Sequence, residues 1–237
     1  MRPLVLVHGF MGGSDQWALQ APLADGRDLI AVDLPGFGRN SHLPPINTIK
    51  GFAEWVLAEI APQEFDLLGH SMGGMIVQEM MRLAPDRVCK LVLYGTGATG
   101  ELPGRFEPIE VSMRRARAEG ARHTARRIAA TWFRKRDSAP EYHACAAIAE
   151  RAGLAAIIAG LEAMRGWSGL DHLAHIAVPV LVLWGDGDRT YEWTQVETLW
   201  RTIPGANLAV VPACAHAVHL ERPRHFNALI ADFLDES

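Results

Sequence analysis

Ser71 sits in the run Leu68-Gly69-His70-Ser71-Met72-Gly73-Gly74-Met75, a G-x-S-x-G pattern. An apolar stretch precedes it (Phe65, Leu67, Leu68), and a helix-compatible stretch follows over 75–83. A serine on such a tight strand-to-helix turn has its Oγ lifted above the sheet edge, where it can attack a carbonyl. Gly69 and Gly73 stand where a Cβ would clash as strand and helix close on each other. The free N–H groups at the start of the helix favour the negative charge that develops in acyl transfer. A small-residue turn with an incidental serine has the same composition, so the reading needs partners elsewhere in the chain.

A serine nucleophile needs a base, and the base needs a group to orient it. Two later segments offer them. The first, Leu183-Trp184-Gly185-Asp186-Gly187-Asp188-Arg189, follows one apolar run and supplies Asp186 and Asp188. The second, Pro212-Ala213-Cys214-Ala215-His216-Ala217-Val218-His219-Leu220-Glu221, follows another and supplies His216 and His219. Loops at the C-terminal ends of parallel strands are where such sheets place their chemistry.

The elements that must position these groups alternate. Apolar runs predict strands over 4–7, 29–32, 65–68 and 88–93, with helices over 15–24, 48–60 and 72–83 between them. Ser14 or Asp15 is the expected N-cap of the first helix. From about 97 to 176 the pattern is helical, without a clear strand; strands resume over 180–184 and 208–211, and helices over 193–203 and 223–234. This is an α/β chain with a mostly parallel sheet covered by helices on both faces. The expected organisation is a first core part over 1–96 with the Ser71 turn, a helical cap over 97–176, and a second core part over 177–237 with the candidate acid and base. A separate second domain is disfavoured, because the last two strands would have to form a sheet alone.

Composition narrows the classes. The chain has 237 residues, about half of them apolar, and a net charge of −4, so no nucleic-acid partner is expected. Cys89, Cys145 and Cys214 are odd in number and scattered, which argues against a disulfide framework or a zinc site and for a reducing compartment. No secretory signal or membrane span is legible, so a cytoplasmic location is expected; the oligomeric state is left open.

The motifs Val7-His8-Gly9-Phe10, Asp33-Leu34-Pro35-Gly36-Phe37-Gly38, Gly69-His70-Ser71-Met72-Gly73-Gly74, Trp184-Gly185-Asp186-Gly187-Asp188, and His216 with Leu220-Glu221-Arg222-Pro223 behind it, occur in this order. Together they resemble the α/β-hydrolase superfamily over essentially the whole chain. The resemblance implies a Ser71-His216-Asp188 triad, with Asp186 the runner-up acid and His219 a packing or supporting histidine. It also implies an oxyanion hole from the backbone N–H groups of Phe10 and Met72. No metal or organic cofactor is implied. Ser71 argues against the epoxide hydrolases and haloalkane dehalogenases of this fold, which use Asp, and against dienelactone hydrolases, which use Cys. Members usually begin with two antiparallel strands before the His-Gly strand. Here that strand starts at about residue 4, so the N-terminal hairpin is expected to be missing and the 29–32 strand to lie at or near the sheet edge.

The cap should decide the substrate, a small molecule. It carries Arg114, Arg115, Arg117, Arg122, Arg126, Arg127, Arg134, Lys135 and Arg136 against Glu119 alone over 113–136. This run is either a solvated helix face or the source of an inward arginine that holds a substrate carboxylate. Trp132, Phe133 and Trp167 are the expected apolar walls. The cap pattern is similar to 3-oxoadipate enol-lactonases, and the whole constellation to meta-cleavage-product C–C hydrolases and small carboxylesterases. The expected reaction is hydrolysis of a small or medium carboxylic ester or lactone through an acyl-enzyme. The alternatives are C–C cleavage and a non-enzymatic, ligand-binding member of the fold.

Overall fold

The computed structural model describes residues 1–101 and 107–235. Six strands, β1 (Leu4–Val7), β2 (Leu29–Ala31), β3 (Phe65–His70), β4 (Val88–Tyr94), β5 (Val180–Gly185) and β6 (Asn207–Val211), form one sheet in the order β2-β1-β3-β4-β5-β6. All its ladders are parallel. The central strands are mostly apolar because both of their faces are covered. Val5, Val7, Leu67, Leu91 and Leu93 face one core layer; Leu4, Leu6, Leu68, Val92 and Tyr94 alternate onto the other. β2 lies at one edge, as the sequence predicts, and β6 at the other.

Helix α1 (Ile49–Glu59) starts at Thr48, whose hydroxyl accepts the Gly51 N–H at 3.0 Å, and buries Ile49, Phe52, Ala53 and Val56. α2 (Met72–Leu83) is buried along most of its length. It crosses β1 so closely that a Cβ at Gly73 would run into the carbonyl oxygens of Val7 and His8. One predicted element differs. The 15–24 helix is a 3-10 stretch, Ser14–Ala24, with Pro22 inside it and Gly13, not Ser14 or Asp15, as its N-cap. Pro22 lacks the N–H that an α-helical turn requires. Ser14 is held elsewhere, its N–H and Oγ both donating to the Asp33 carboxylate at 2.9 and 2.6 Å.

Between β4 and β5 stand α3 (Ile109–Glu119), α4 (Ala121–Thr131), α5 (Tyr142–Ala149) and α6 (Leu154–Met164). The segment leaves and rejoins the sheet through a two-stranded pin, in which Gly100 N–H donates to Trp167 O at 2.9 Å and Gly169 N–H to Ala98 O at 2.8 Å. After β5 come α7 (Trp193–Thr202), the short α8 (Val218–Glu221) and α9 (Pro223–Asp235). Among the described residues no single helix is long and apolar enough to cross a membrane.

Candidate active site

Three strand ends converge. β3 ends at His70, and Ser71 follows with φ 57° and ψ −121°, a backbone state that L-residues rarely hold. The turn is pinned from both sides. Ser71 N–H donates to Tyr94 O at 3.0 Å, while Ser71 O accepts from Gly74 N–H and from Thr96 Oγ1, both at 2.8 Å. Met72 is the first residue of α2. The Phe10 and Met72 N–H groups have no hydrogen-bond partner among the described residues.

The loop after β5 carries Asp188 and the loop after β6 carries His216, and the structure brings the two together. His216 Nδ1 lies 2.8 Å from Asp188 Oδ2, with both side chains shut off from solvent. The other oxygen, Asp188 Oδ1, accepts the N–H groups of Thr190 at 2.7 Å and Tyr191 at 3.3 Å. Asp186 is engaged elsewhere: its Oδ1 accepts the Ala213 N–H at 2.8 Å, which fastens the turn where Ala213 has φ 57°.

Three further histidines beside the site, His8, His70 and His219, are buried and held neutral. His8 donates from Nδ1 to Gly9 O at 2.7 Å and accepts at Nε2 from Leu34 N–H at 3.0 Å; burial lowers its pKa to about 4. His8 thereby anchors the turn that carries Phe10. Burial lowers His219 to about 3, and its Nδ1 lies 3.0 Å from the Tyr94 hydroxyl. Burial also holds His70 well below the usual imidazole range, with the neighbouring His216 and His219 adding to the effect. His70 Nε2 lies 3.2 Å from the His216 carbonyl oxygen, which also accepts the Tyr94 hydroxyl at 2.8 Å. Burial pushes the Tyr94 phenol well above its ordinary value, so it stays a donor.

Ser71 and His216 line one small cavity together with Gly9, Phe10, Gln16, His70 and Trp132. A larger cleft opens above Ser71, lined by Phe10, Ile128, Thr131, Trp132, Met164, Thr190 and Tyr191. α4 contributes Ile128 and Thr131 to its walls and α6 contributes Met164. Trp132 lines the cleft, but Phe133 and Trp167 are not among the residues lining either cavity; Phe133 is wholly buried in the core instead. The chain turns after Trp132 so that the Phe133 ring packs into the core, and the Trp167 backbone belongs to the pin. The inward arginine is also not found. Arg127 pairs with Glu107 and Glu119, Arg115 with Glu119, and Arg122 and Arg126 with Glu150, while the rest of the run is exposed. Thr190, Tyr191, Ile128, Thr131 and Met164 escaped the sequence reading. Tyr191 carried a usable signal, an aromatic residue three positions beyond Asp188; its ring lies parallel to His216 at 5.7 Å.

A profile of the alpha/beta hydrolase family matches residues 4–228. The chain is 27% identical over 243 residues to the pimeloyl-[acyl-carrier protein] methyl ester esterase of Yersinia enterocolitica, covering 99% of this chain and 93% of that one. The structure of a thermophilic esterase from Thermogutta terrifontis superposes with a TM-score of 0.86 at 26% identity, covering 99% of this chain and 89% of that one. The enol-lactonase from Burkholderia xenovorans LB400 shares the fold, with a TM-score of 0.86 at 23% identity and coverage of 100% and 92%.

Proposed function

This chain belongs to the alpha/beta hydrolase family, and from that footing we propose that it is a serine hydrolase cleaving a small or medium, uncharged carboxylic ester or lactone. The observation that carries the reading is the buried Asp188–His216 pair opening onto the same cavity as Ser71. Asp188 accepts the Nδ1 proton of His216, which leaves Nε2 free as a base. His216 takes the Ser71 hydroxyl proton as Oγ attacks the substrate carbonyl carbon. The oxyanion that forms accepts hydrogen bonds from the free Phe10 and Met72 N–H groups, each such donor contributing roughly 10²–10³ in rate. Collapse of the intermediate breaks the ester C–O bond, and His216 returns the proton to the leaving alcohol. Water then attacks the acyl-Ser71 carbonyl with His216 again as base, releasing the acid and restoring the serine. The sequence needs no metal or organic cofactor.

The substrate class follows from the walls of the cleft. Among the described residues no charged side chain lines the cleft; Thr131, Thr190 and Tyr191 bring hydroxyls to it beside Ser71. A carboxylate buried there would lack a counter-charge, so the anionic substrates expected from the basic run, dienoates for C–C cleavage included, are disfavoured. The esterase names of the Yersinia enterocolitica and Thermogutta terrifontis relatives, 27% and 26% identical, support ester hydrolysis. Hydrolysis of p-nitrophenyl acetate and butyrate by the wild type and by Ser71→Ala tests the reading. Activity confined to dienoates would overturn it.

A further inference from the structure

We propose that Glu221 is a positioning residue that ties the His216 loop to a lid formed by the inserted helices, so that the base is in register only while the lid is docked. The proposal rests on the serine-hydrolase reading above. Glu221 closes α8, and its carboxylate is divided between two backbone donors. Oε2 accepts the N–H of Ala215, the residue before His216, at 2.6 Å. Oε1 accepts the N–H of Arg134, in the turn just past α4, at 2.8 Å. On the far side of His216, the Ala217 N–H donates to Trp132 O at 2.9 Å. One sequence neighbour of His216 is therefore bonded directly to this turn and the other is linked to it through Glu221, and the Trp132 side chain of the turn lines the Ser71 cleft. The same turn also reaches the acid loop, since Arg189 Nη2 lies 3.4 Å from Arg134 O.

These contacts have no substitute nearby. The Ala215 and Arg134 N–H groups have no other partner among the described residues. Ala215 is fully buried, so loss of the carboxylate would strand its amide. Charge-assisted bonds of this length belong to the stronger class. The pin at Thr99 and Ser168 holds the lid where it joins the sheet, and Glu221 fastens it over the chemistry. A lid displaced by a bulky substrate would draw Ala215, and with it His216, away from Ser71.

The test is Glu221→Gln, which keeps the volume and one acceptor oxygen but turns an NH₂ group toward one of the two amides. With p-nitrophenyl butyrate, kcat should fall about tenfold or more while KM stays within about twofold, since a displacement of an ångström can cost ~10² in rate. Hydrogen exchange at the Arg134 and Ala215 amides should quicken together. Glu221→Asp, which keeps the charge but has a shorter reach, should fall between wild type and Glu221→Gln on both measures. In the wild type itself the two amides should be protected and exchange at matching rates. Free exchange at Arg134 in the wild type would overturn the proposal even if no variant folds. So would wild-type kcat in folded Glu221→Gln, or a lowered kcat with unchanged exchange at Ala215. Ser71→Ala assayed alongside separates the two readings: if it keeps wild-type turnover, the serine-hydrolase reading fails, while the exchange data still report on the clamp.

Discussion

Asp188 Oδ2 lies 2.8 Å from His216 Nδ1, and its sister oxygen is engaged by the N–H groups of Thr190 and Tyr191. The carboxylate is thus fixed from its own loop before it meets the imidazole. Asp188→Asn should lower kcat by about 10³–10⁴, because the amide favours the wrong His216 tautomer. Asp186→Asn should change kcat by less than about tenfold, since an amide oxygen can still accept the Ala213 N–H. Steady-state kinetics on p-nitrophenyl butyrate compares them, and the reverse ranking would move the acid to Asp186.

Stability should fall as the solution is acidified below neutrality. His8 and His219 are lowered to about 4 and about 3 by burial, and His70 is lowered as well, against 6.5 for a free imidazole. Between 6.5 and those folded values the unfolded chain binds more protons, so stability is full above 6.5 and is lost as pH falls toward 4. Each histidine contributes a slope of up to about 1.4 kcal/mol per pH unit in that window. Urea unfolding at pH 7, 6 and 5 should show a falling midpoint. A midpoint that stays flat would contradict neutral burial of these rings.

A matched pair of substrates probes the uncharged cleft. kcat/KM for p-nitrophenyl butyrate should exceed that for mono-p-nitrophenyl succinate by about tenfold or more, from the cost of burying an unpaired carboxylate. Equal values would mean that a cation reaches the substrate.

Gly73 tests the close approach of α2 to β1. In Gly73→Ala the new methyl meets the carbonyl oxygens of Val7 and His8, which are backbone and cannot swing aside. The strain should cost about 1–3 kcal/mol of stability and separate the Phe10 and Met72 amides, with kcat falling as well. Thermal melting and turnover at wild-type levels would show that the contact is slack.

The sheet was legible because Leu4–Val7 and its neighbours are apolar runs of strand length, and so were the loops bearing Ser71, Asp186 and Asp188, and His216 and His219, because each follows such a run; the choice of Asp188 and His216 within those loops came from the family resemblance. What the sequence hid depended on distant partners. Pro22 and the Asp33 grip on Ser14 turn a helical pattern into a 3-10 stretch. The basic run looked unpaired in a local window, yet Arg127 finds Glu107, and Arg122 and Arg126 find Glu150, only after α3, α4 and α5 pack. Counting charges gives their number and not their direction. Glu221 was visible only as part of a motif, since both of its partners are backbone groups brought in by the fold.

The central claim is that Ser71 is the nucleophile, and active-site titration tests it most directly. Rapid mixing with p-nitrophenyl butyrate under conditions where deacylation limits turnover should release a burst of about one p-nitrophenolate per chain. Mass spectrometry of the quenched enzyme should place the butyryl group on the peptide that contains Ser71, and Ser71→Ala should show neither burst nor adduct. An acyl group on another residue, or a full burst from Ser71→Ala, would contradict the account.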